Sequence, residues 1–489
     1  MQQHQIYERA RLSRDARFDG RFFVGVRTTG IYCRPICPAV PPKSENVKFY
    51  PSAAAASEAG YRPCLRCRPE CAPGTPAWSG TSTTVRRGLR LISNGALDEG
   101  SIEQLAERLG VTSRHLRRLF AQHVGASPLA VAHTQRLHFA KRLIDQTSLP
   151  LSHVASAAGY GSVRRFNDTF QKTYGKTPRE LRRHSDEAFE SGTALTVRLS
   201  YRKPFDWPSM LDFFAGRATP GVEQVVGESY FRTIRADGET GVIECRGDGD
   251  TMLLTMHGVP TTGIFPVVQR VREMLDVDAP IADIHDVLRR DRKLAAMLKR
   301  RPGIRVPGAW DGFELTVRAI LGQQVSVKAA TTLAGRIAGR YGEKVALPDS
   351  LRTRSEGLEL NRLFPSASRL ARVRFNGIGL VTSRAESIRS VARAVQSGEV
   401  DFENTQDADA LRASLVAIRG IGDWTAEYVA MRAMKDPDAF PAADLGLLKA
   451  VDPDGALGAR ELRERAEAWR PWRAYAALLL WGSLPGSGG

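Results

Sequence analysis

The stretch that most restricts how this chain can fold runs from Leu415 to Leu447 and reads LVAIRGIGDWTAEYVAMRAMKDPDAFPAADLGL. An apolar helix end leads into Gly420-Ile421-Gly422, and a second helix opens at Asp423. Glycines on both sides of so tight a turn let the backbone approach another surface closely and aim its N–H groups outward. Such N–H groups suit the phosphates of a polyanion backbone. Asp444 stands twenty positions beyond Trp424, in Phe440-Pro441-Ala442-Ala443-Asp444-Leu445.

Charge points the same way. The chain of 489 residues has room for two to four domains and carries a formal net charge of +17. Residues 1–190 hold 29 Lys and Arg against 16 Asp and Glu. So basic a front part suggests nucleic acid as partner, although a solvated basic surface would give the same count. No run approaches the roughly 18–20 apolar residues of a membrane span. The start, MQQHQIYERARLSRDARF, lacks an apolar signal core, so a cytoplasmic, nucleoid-associated bacterial protein with no membrane partner is expected.

Four of the six cysteines fall in two close pairs, Cys33/Cys37 and Cys64/Cys67. In a chain that is not exported, this is a metal pattern and not a disulfide framework. Four thiolates at these spacings close a tetrahedral zinc site. Arg27, Arg34, Lys43, Lys48, Arg62, Arg66 and Arg68 surround it. Spacing alone favours a zinc that staples a small fold. Cys71, just past the cluster, reads as a spare thiol.

After Pro73, Gly74, Pro76, Ser79 and Gly80, which read as a linker, a pattern occurs twice. Ile102, Leu105, Ala106 and Leu109 line one helical face, Gly110 turns the chain, and Leu116, Leu119 and Phe120 form the next stripe. Leu151, Val154, Ala155 and Ala158 then precede Gly159, with Phe166, Phe170 and Tyr174 after it. A long helix from about Pro128 to Asp145 joins the two units. The second helix of each unit suits the major groove, with Ser113, Arg114 and Arg117 exposed in the first and Ser162, Arg164, Arg165 and Asn167 in the second. A polar stretch, SDEAFESGTA, then reads as a second linker.

Three resemblances attach to these motifs. The hairpin with Trp424-Thr425-Ala426 and Asp444 resembles the helix-hairpin-helix and Gly-Pro-Asp signature of DNA glycosylases, most closely the AlkA type that removes alkylated bases. The cysteine segment is similar to the N-terminal domain of Ada-type methylphosphotriester repair proteins. The paired helical units resemble the AraC-type DNA-binding domain. The first resemblance implies Asp444 as catalytic carboxylate and Phe213, Trp424, Tyr428 and Trp481 around a base pocket. It also implies Gly420 and Gly422 at the DNA backbone and Gln324 as the wedge, where the family has leucine. Strand-cutting glycosylases place a lysine where Trp424 stands, so base removal without strand cleavage is expected. The second resemblance implies zinc on Cys33, Cys37, Cys64 and Cys67, with Cys33 also the nucleophile that accepts one methyl group, and Arg34 near DNA. Val40 departs from it, because a basic residue is common there.

The expected fold is multidomain and mainly α. It comprises a small α+β zinc module at 1–80, an all-α double helix-turn-helix at 81–190, an α+β AlkA N-terminal-like domain at 191–280, and an all-α glycosylase domain at 281–489. Alternating patterns in VIECR and TMLLTMHG are expected strands. The expected function is DNA alkylation repair, with two activities: single-turnover methyl transfer to Cys33 and excision of bases of the 3-methyladenine type. The partners are alkylated duplex DNA, a promoter operator and RNA polymerase. No Pro-Cys-His-Arg motif occurs, so a guanine-repairing domain is not expected. The alternatives are a transcription regulator with structural zinc and an inactive glycosylase scaffold, or an enzyme that its helix-turn-helix only tethers.

Overall fold

The structure, a computed structural model, describes residues 2–73, 83–93, 95–98, 100–182, 194–352, 357–402 and 407–484. The sequence-expected linkers fall largely outside these: of the first only Pro73, and of the second only Ala194, is described. The chain forms two compact units, Met1–Arg202 with Val259–Gln269, and Lys203–Gly258 with Arg270–Gly489. None of the described helices is long and apolar enough to cross a membrane.

In the first unit, strands Val47–Tyr50, Phe23–Val26, Ile31–Cys33 and Arg62–Pro63 lie side by side in that order. The last pair is parallel, with Ile31 opposite Arg62 and Tyr32 opposite Pro63. That register sets the next residues, Cys33 and Cys64, next to one another. Tyr7, Phe22 and Phe49 close one side of this small sheet. Tyr7 and Phe22 stack at 4.1 Å, and Phe49 meets Phe22 edge-on at 5.3 Å.

On the other side, Phe23, Tyr32, Tyr50 and the alanines of helix Ala53–Glu58 share one core with Leu105, Leu116 and Phe120 of the first helical unit. The core is therefore continuous across residue 80. Both helix-turn-helix units are present: Ile102–Arg108 with Ser113–His123, and Leu151–Ala157 with Val163–Tyr174. Gly110 and Gly159 turn them at φ of 68° and 74°, a region that costs glycine nothing. Helix Pro128–Gln146 joins them, capped by the Ser127 hydroxyl.

That joining helix carries a buried ion cluster. Lys141 Nζ donates to Asp145 at 2.5 Å, Arg68 pairs with the same carboxylate at 2.5 Å, and Arg68 Nε donates to Glu70 at 3.2 Å. Lys141, Asp145 and Glu70 are nearly inaccessible. Removing one member of a buried ion group leaves the others uncompensated. Asp145→Ala should therefore cost about 3–5 kcal/mol of stability, read as a lowered urea midpoint for this unit. Replacing Lys141 and Asp145 together by Met and Leu should recover most of it.

In the second unit, strands Glu223–Val226, Ser229–Ala236, Glu239–Asp248 and Thr251–His257 form consecutive antiparallel hairpins. The turn between the middle pair is Asp237-Gly238, both at positive φ, as a right-twisting two-residue hairpin requires. Helix Trp207–Ala215 buries Met210 and Phe214. The helical part includes Gly312–Leu321, Val327–Tyr341, Thr382–Ser397, Ala408–Val416, Asp423–Ala433, Leu445–Val451 and Arg473–Trp481. Val317, Ile320, Ile388, Leu415, Ile421 and Val429 share one core, which fixes the hairpin on the bundle.

Sheet and bundle are tied by charge. Glu223 accepts from Tyr230 Oη at 2.7 Å, Arg232 Nη1 at 2.7 Å and Arg318 Nη1 at 2.8 Å. Glu314 accepts from the same two arginines. Burial pushes the Glu223 carboxyl up, but Arg318 and Arg232 override this and hold it at about 2. A folded-state value below the ordinary 4.5 adds stability that is fully present above 4.5 and is lost as pH falls through about 2. The urea midpoint of this unit should drop across that window, and the drop should shrink in Glu223→Gln.

Candidate functional site

Two sites emerge, one in each unit. In the first, the Sγ atoms of Cys33, Cys37, Cys64 and Cys67 all lie within 4.8 Å of one another, and no disulfide joins them. Four thiolates this close repel one another unless a cation stands among them. An all-sulfur set of four suits zinc. Cys71 is not part of the cluster.

The four sulfurs are not equivalent. Cys64 and Cys67 are buried, whereas Cys33 and Cys37 are partly exposed. Backbone N–H groups of Ala39, Cys67 and Arg34 donate to Cys37, Cys64 and Cys67 respectively. The groups that dominate around Cys33 are the other three sulfurs. Cys33 and Cys37 are therefore the two sulfurs of the set that a substrate can reach.

Arg34 sits inward. Its Nε donates to Asp19 at 2.8 Å and its Nη1 to the Cys67 carbonyl at 3.1 Å, so it braces the cysteine loops. Val40 is 89% exposed and brings no charge to this surface. In the helix-turn-helix units, Arg114, Arg117, Arg164, Arg165 and Asn167 are exposed on the second helices. Ser162 has its hydroxyl occupied, because it caps helix Val163–Tyr174 by accepting from Arg165 N–H at 3.2 Å.

The second site is a cavity of about 660 Å³. Phe213, Trp424, Tyr428, Trp481 and Asp444 all line it. Trp424 and Tyr428 stack in parallel with centroids 5.4 Å apart, and Trp481 meets Tyr428 at 66°. Asp444 is the N-cap of helix Leu445–Val451, where its Oδ1 accepts from Leu447 N–H at 2.9 Å. Trp424 Nε1 donates to Oδ2 and Trp481 Nε1 to Oδ1, both at 2.8 Å. The carboxylate is thus held by three donors, and two of them are walls of the pocket.

The hairpin beside it is locked. Gly420 has φ of 89°, and a Cβ there would meet Ser387 Oγ at 2.2 Å. Ser387 Oγ in turn donates to the Arg419 carbonyl at 3.0 Å. Gly422 has an ordinary φ of −102° and open space around it, leaving the helix N-terminus bare. Gln324 is exposed at φ of 55°, between helices Gly312–Leu321 and Val327–Tyr341. Its neighbour Gln323 donates through Nε2 to the Gly420 carbonyl at 3.0 Å and Thr425 Oγ1 at 3.1 Å.

Sequence reasoning passed over Gln323 and two pocket arginines, Arg217 and Arg432. Arg432 was in reach: it lies four residues after Tyr428, on the same helical face. Arg217 follows the end of its helix, and no periodicity signals it.

Four family models match the chain. They are the metal binding domain of Ada at 7–70, a helix-turn-helix domain at 105–184, the AlkA N-terminal domain at 196–311, and the HhH-GPD superfamily base excision DNA repair protein at 317–474. The "probable bifunctional transcriptional activator/DNA repair enzyme AlkA" of Mycobacterium tuberculosis is 40% identical over 489 residues, covering 98% of this chain and 97% of that protein. "DNA-3-methyladenine glycosylase 2" of Escherichia coli is 33% identical over 58% of this chain and 95% of its own length. The "bifunctional transcriptional activator/DNA repair enzyme Ada" of Escherichia coli is 35% identical over 35% of this chain and 47% of its own.

Proposed function

Since the chain belongs to the Ada/AlkA family of bifunctional transcriptional activators and DNA repair enzymes, we propose that it repairs alkylated DNA by two chemistries, one in each unit. The observation that carries this reading is Asp444, fixed by the indole N–H groups of Trp424 and Trp481 at the wall of an aromatic cavity. A nucleotide must leave the stack to reach such a cavity. A base alkylated at a ring nitrogen is cationic and favours the faces of Trp424 and Tyr428. It departs with the electron pair of the glycosidic bond and becomes neutral, so no general acid is needed. The Asp444 carboxylate stabilises the positive sugar that remains, and water then adds to it. Gln324 fills the gap left in the duplex. With tryptophan at 424 and not lysine, the strand stays intact.

In the first unit, Cys33, Cys37, Cys64 and Cys67 hold zinc, which when bound keeps the sulfurs as thiolates at neutral pH. Cys33 Sγ attacks the methyl carbon of a methylated phosphate. An S–C bond forms, the C–O bond breaks, and the phosphate leaves as an ordinary diester anion. The thioether does not revert, so each molecule acts once. One negative charge disappears from the protein surface, which favours the DNA polyanion. Arg114, Arg117, Arg164 and Arg165 then serve a promoter operator, with RNA polymerase as partner, in the cytoplasm at the nucleoid.

The test uses one substrate, duplex DNA treated with a radiolabelled methylating agent. Wild type should release 3-methyladenine without nicking the strand and should itself become labelled. Cys33→Ser should lose the label and keep base release. Label retained on Cys33→Ser, or strand breaks at the released sites, would overturn the assignment.

A further inference from the structure

From the cap onward, the second helices of the two helix-turn-helix units align residue for residue. Thr112 and Ser162 cap them, accepting from His115 N–H at 3.3 Å and Arg165 N–H at 3.2 Å. The fourth and eighth helix positions are buried in both, as Leu116 and Phe120 in the first and Phe166 and Phe170 in the second. At about 3.6 residues per turn, the second and sixth positions then lie on the outward face. In the first unit these are Arg114 and Arg118, and in the second Arg164 and Asp168, all exposed. A carboxylate thus stands where the other unit has a guanidinium. Arg165 and Lys172 flank it, also exposed. Among the described residues, neither the Asp168 carboxylate nor the Arg164 guanidinium has a hydrogen bond or ion pair. In the first unit the neighbouring cations are tethered, Arg118 to His115 Nδ1 at 2.9 Å and Arg117 to Glu103 at 3.4 Å.

A lone carboxylate is costly on a surface that meets phosphates. Arg164, Arg165 and Lys172 keep this face net positive, so it still approaches DNA. The carboxylate itself gains there only from a hydrogen-bond donor on a base edge. In the major groove the amino donors are N4 of cytosine and N6 of adenine. Adenine sets its N7 acceptor beside N6, which suits a group that both donates and accepts. An ionised carboxylate only accepts. Cytosine offers N4–H₂ with no acceptor of its own. We propose that Asp168 determines operator specificity in the second unit by accepting from the N4 amino group of a cytosine. Arg165 and Lys172 hold the flanking phosphates. The first unit, with Arg118 at the equivalent place, presents donors and suits guanine. The two units therefore require unlike half-sites, and the operator has a direction.

This inference rests on the operator reading, and one selection separates the two. Zinc-loaded full-length protein, with and without prior exposure to methylated DNA, would select binders from a pool of random-sequence, unalkylated duplexes at fixed salt. Wild type should enrich a motif with a C·G pair at one position that Asp168 controls. In Asp168→Asn that position should turn to adenine, because an amide matches N6 and N7 together. In Asp168→Ala it should lose its preference. The ratio of motif affinity to random-duplex affinity should then fall about 5- to 150-fold, in part because random duplexes bind more tightly once the negative charge is gone. The other positions of the motif should keep their preference in both variants, which a residue that only supports the fold would not allow. A motif unchanged in both variants, or one lost at every position at once, would overturn the proposal. Absence of any motif for wild type in either state would overturn the operator reading itself.

Discussion

Removing zinc should melt the cysteine loops of the first unit and leave base excision intact. The strand Arg62–Pro63 is only two residues long and pairs with Ile31 and Tyr32 alone. So short a pairing is not stable by itself. Of the stretch Cys33–Cys37, Cys33 packs against the core around Tyr7 and Phe22, and the residues after it add no further hydrophobic anchor there. Beside the Arg34 contacts to Asp19 and the Cys67 carbonyl, it is the four sulfurs that tie the loops together. Zinc on such a set contributes about 10–16 kcal/mol in small zinc modules, more than most domains have to spare. Amides of residues 34–37 and 64–67 should therefore lose hydrogen-exchange protection in chelator, and Cys64→Ala should lose it without chelator. Helices Ser113–His123 and Pro128–Gln146 lie in the larger core that Leu105, Leu116, Phe120 and Val131 share with Phe23 and Tyr50, apart from the cysteine loops, and should stay protected. Full protection of the loops in metal-free protein would show that the cysteines do not carry them.

What could be read from the sequence follows the range of the interactions involved. The hairpin was legible because a turn is local: Gly420 needs its positive φ four residues after helix Ala408–Val416 ends and three before helix Asp423–Ala433 begins. The repeated helix-turn-helix was legible for the same reason, as an apolar period broken by Gly110 and Gly159. Trp424 and Trp481 were readable as pocket aromatics. Their grip on Asp444 was not, because it joins residues 20 and 37 positions apart. The core that runs across residue 80 was hidden too. Its link is the short alanine helix Ala53–Glu58, whose small side chains give little amphipathic signal yet pack tightly. Arg34 and Ser162 illustrate a further limit. Both are polar residues at a surface motif, and sequence cannot show that Asp19 and a helix N-terminus already occupy them.

Asp444→Asn should slow 3-methyladenine release by about 100- to 1,000-fold, the usual effect of removing one preorganised electrostatic stabiliser. The substitution preserves shape while changing what the group can accept. Today both oxygens are acceptors, one for Trp424, the other for Trp481 and Leu447. An amide has one acceptor oxygen and one NH₂ group. Whichever way it turns, an indole N–H faces an N–H donor. One tryptophan must tilt away, so the pocket wall is disturbed as well as the charge. Helix Leu445–Val451 keeps its cap if the amide oxygen stays on Leu447, because asparagine caps as well as aspartate. The fold should therefore survive, with an unchanged urea midpoint. DNA binding should hold or strengthen, since a negative charge near the phosphates is gone. Methyl transfer to Cys33, in the other unit, should not change. Asp444→Glu separates charge from position: it restores the carboxylate but moves it by one methylene, and it should recover only part of the rate. Release by Asp444→Asn equal to wild type would mean that the positive sugar is stabilised elsewhere, and that the two tryptophans hold this carboxylate for structure alone.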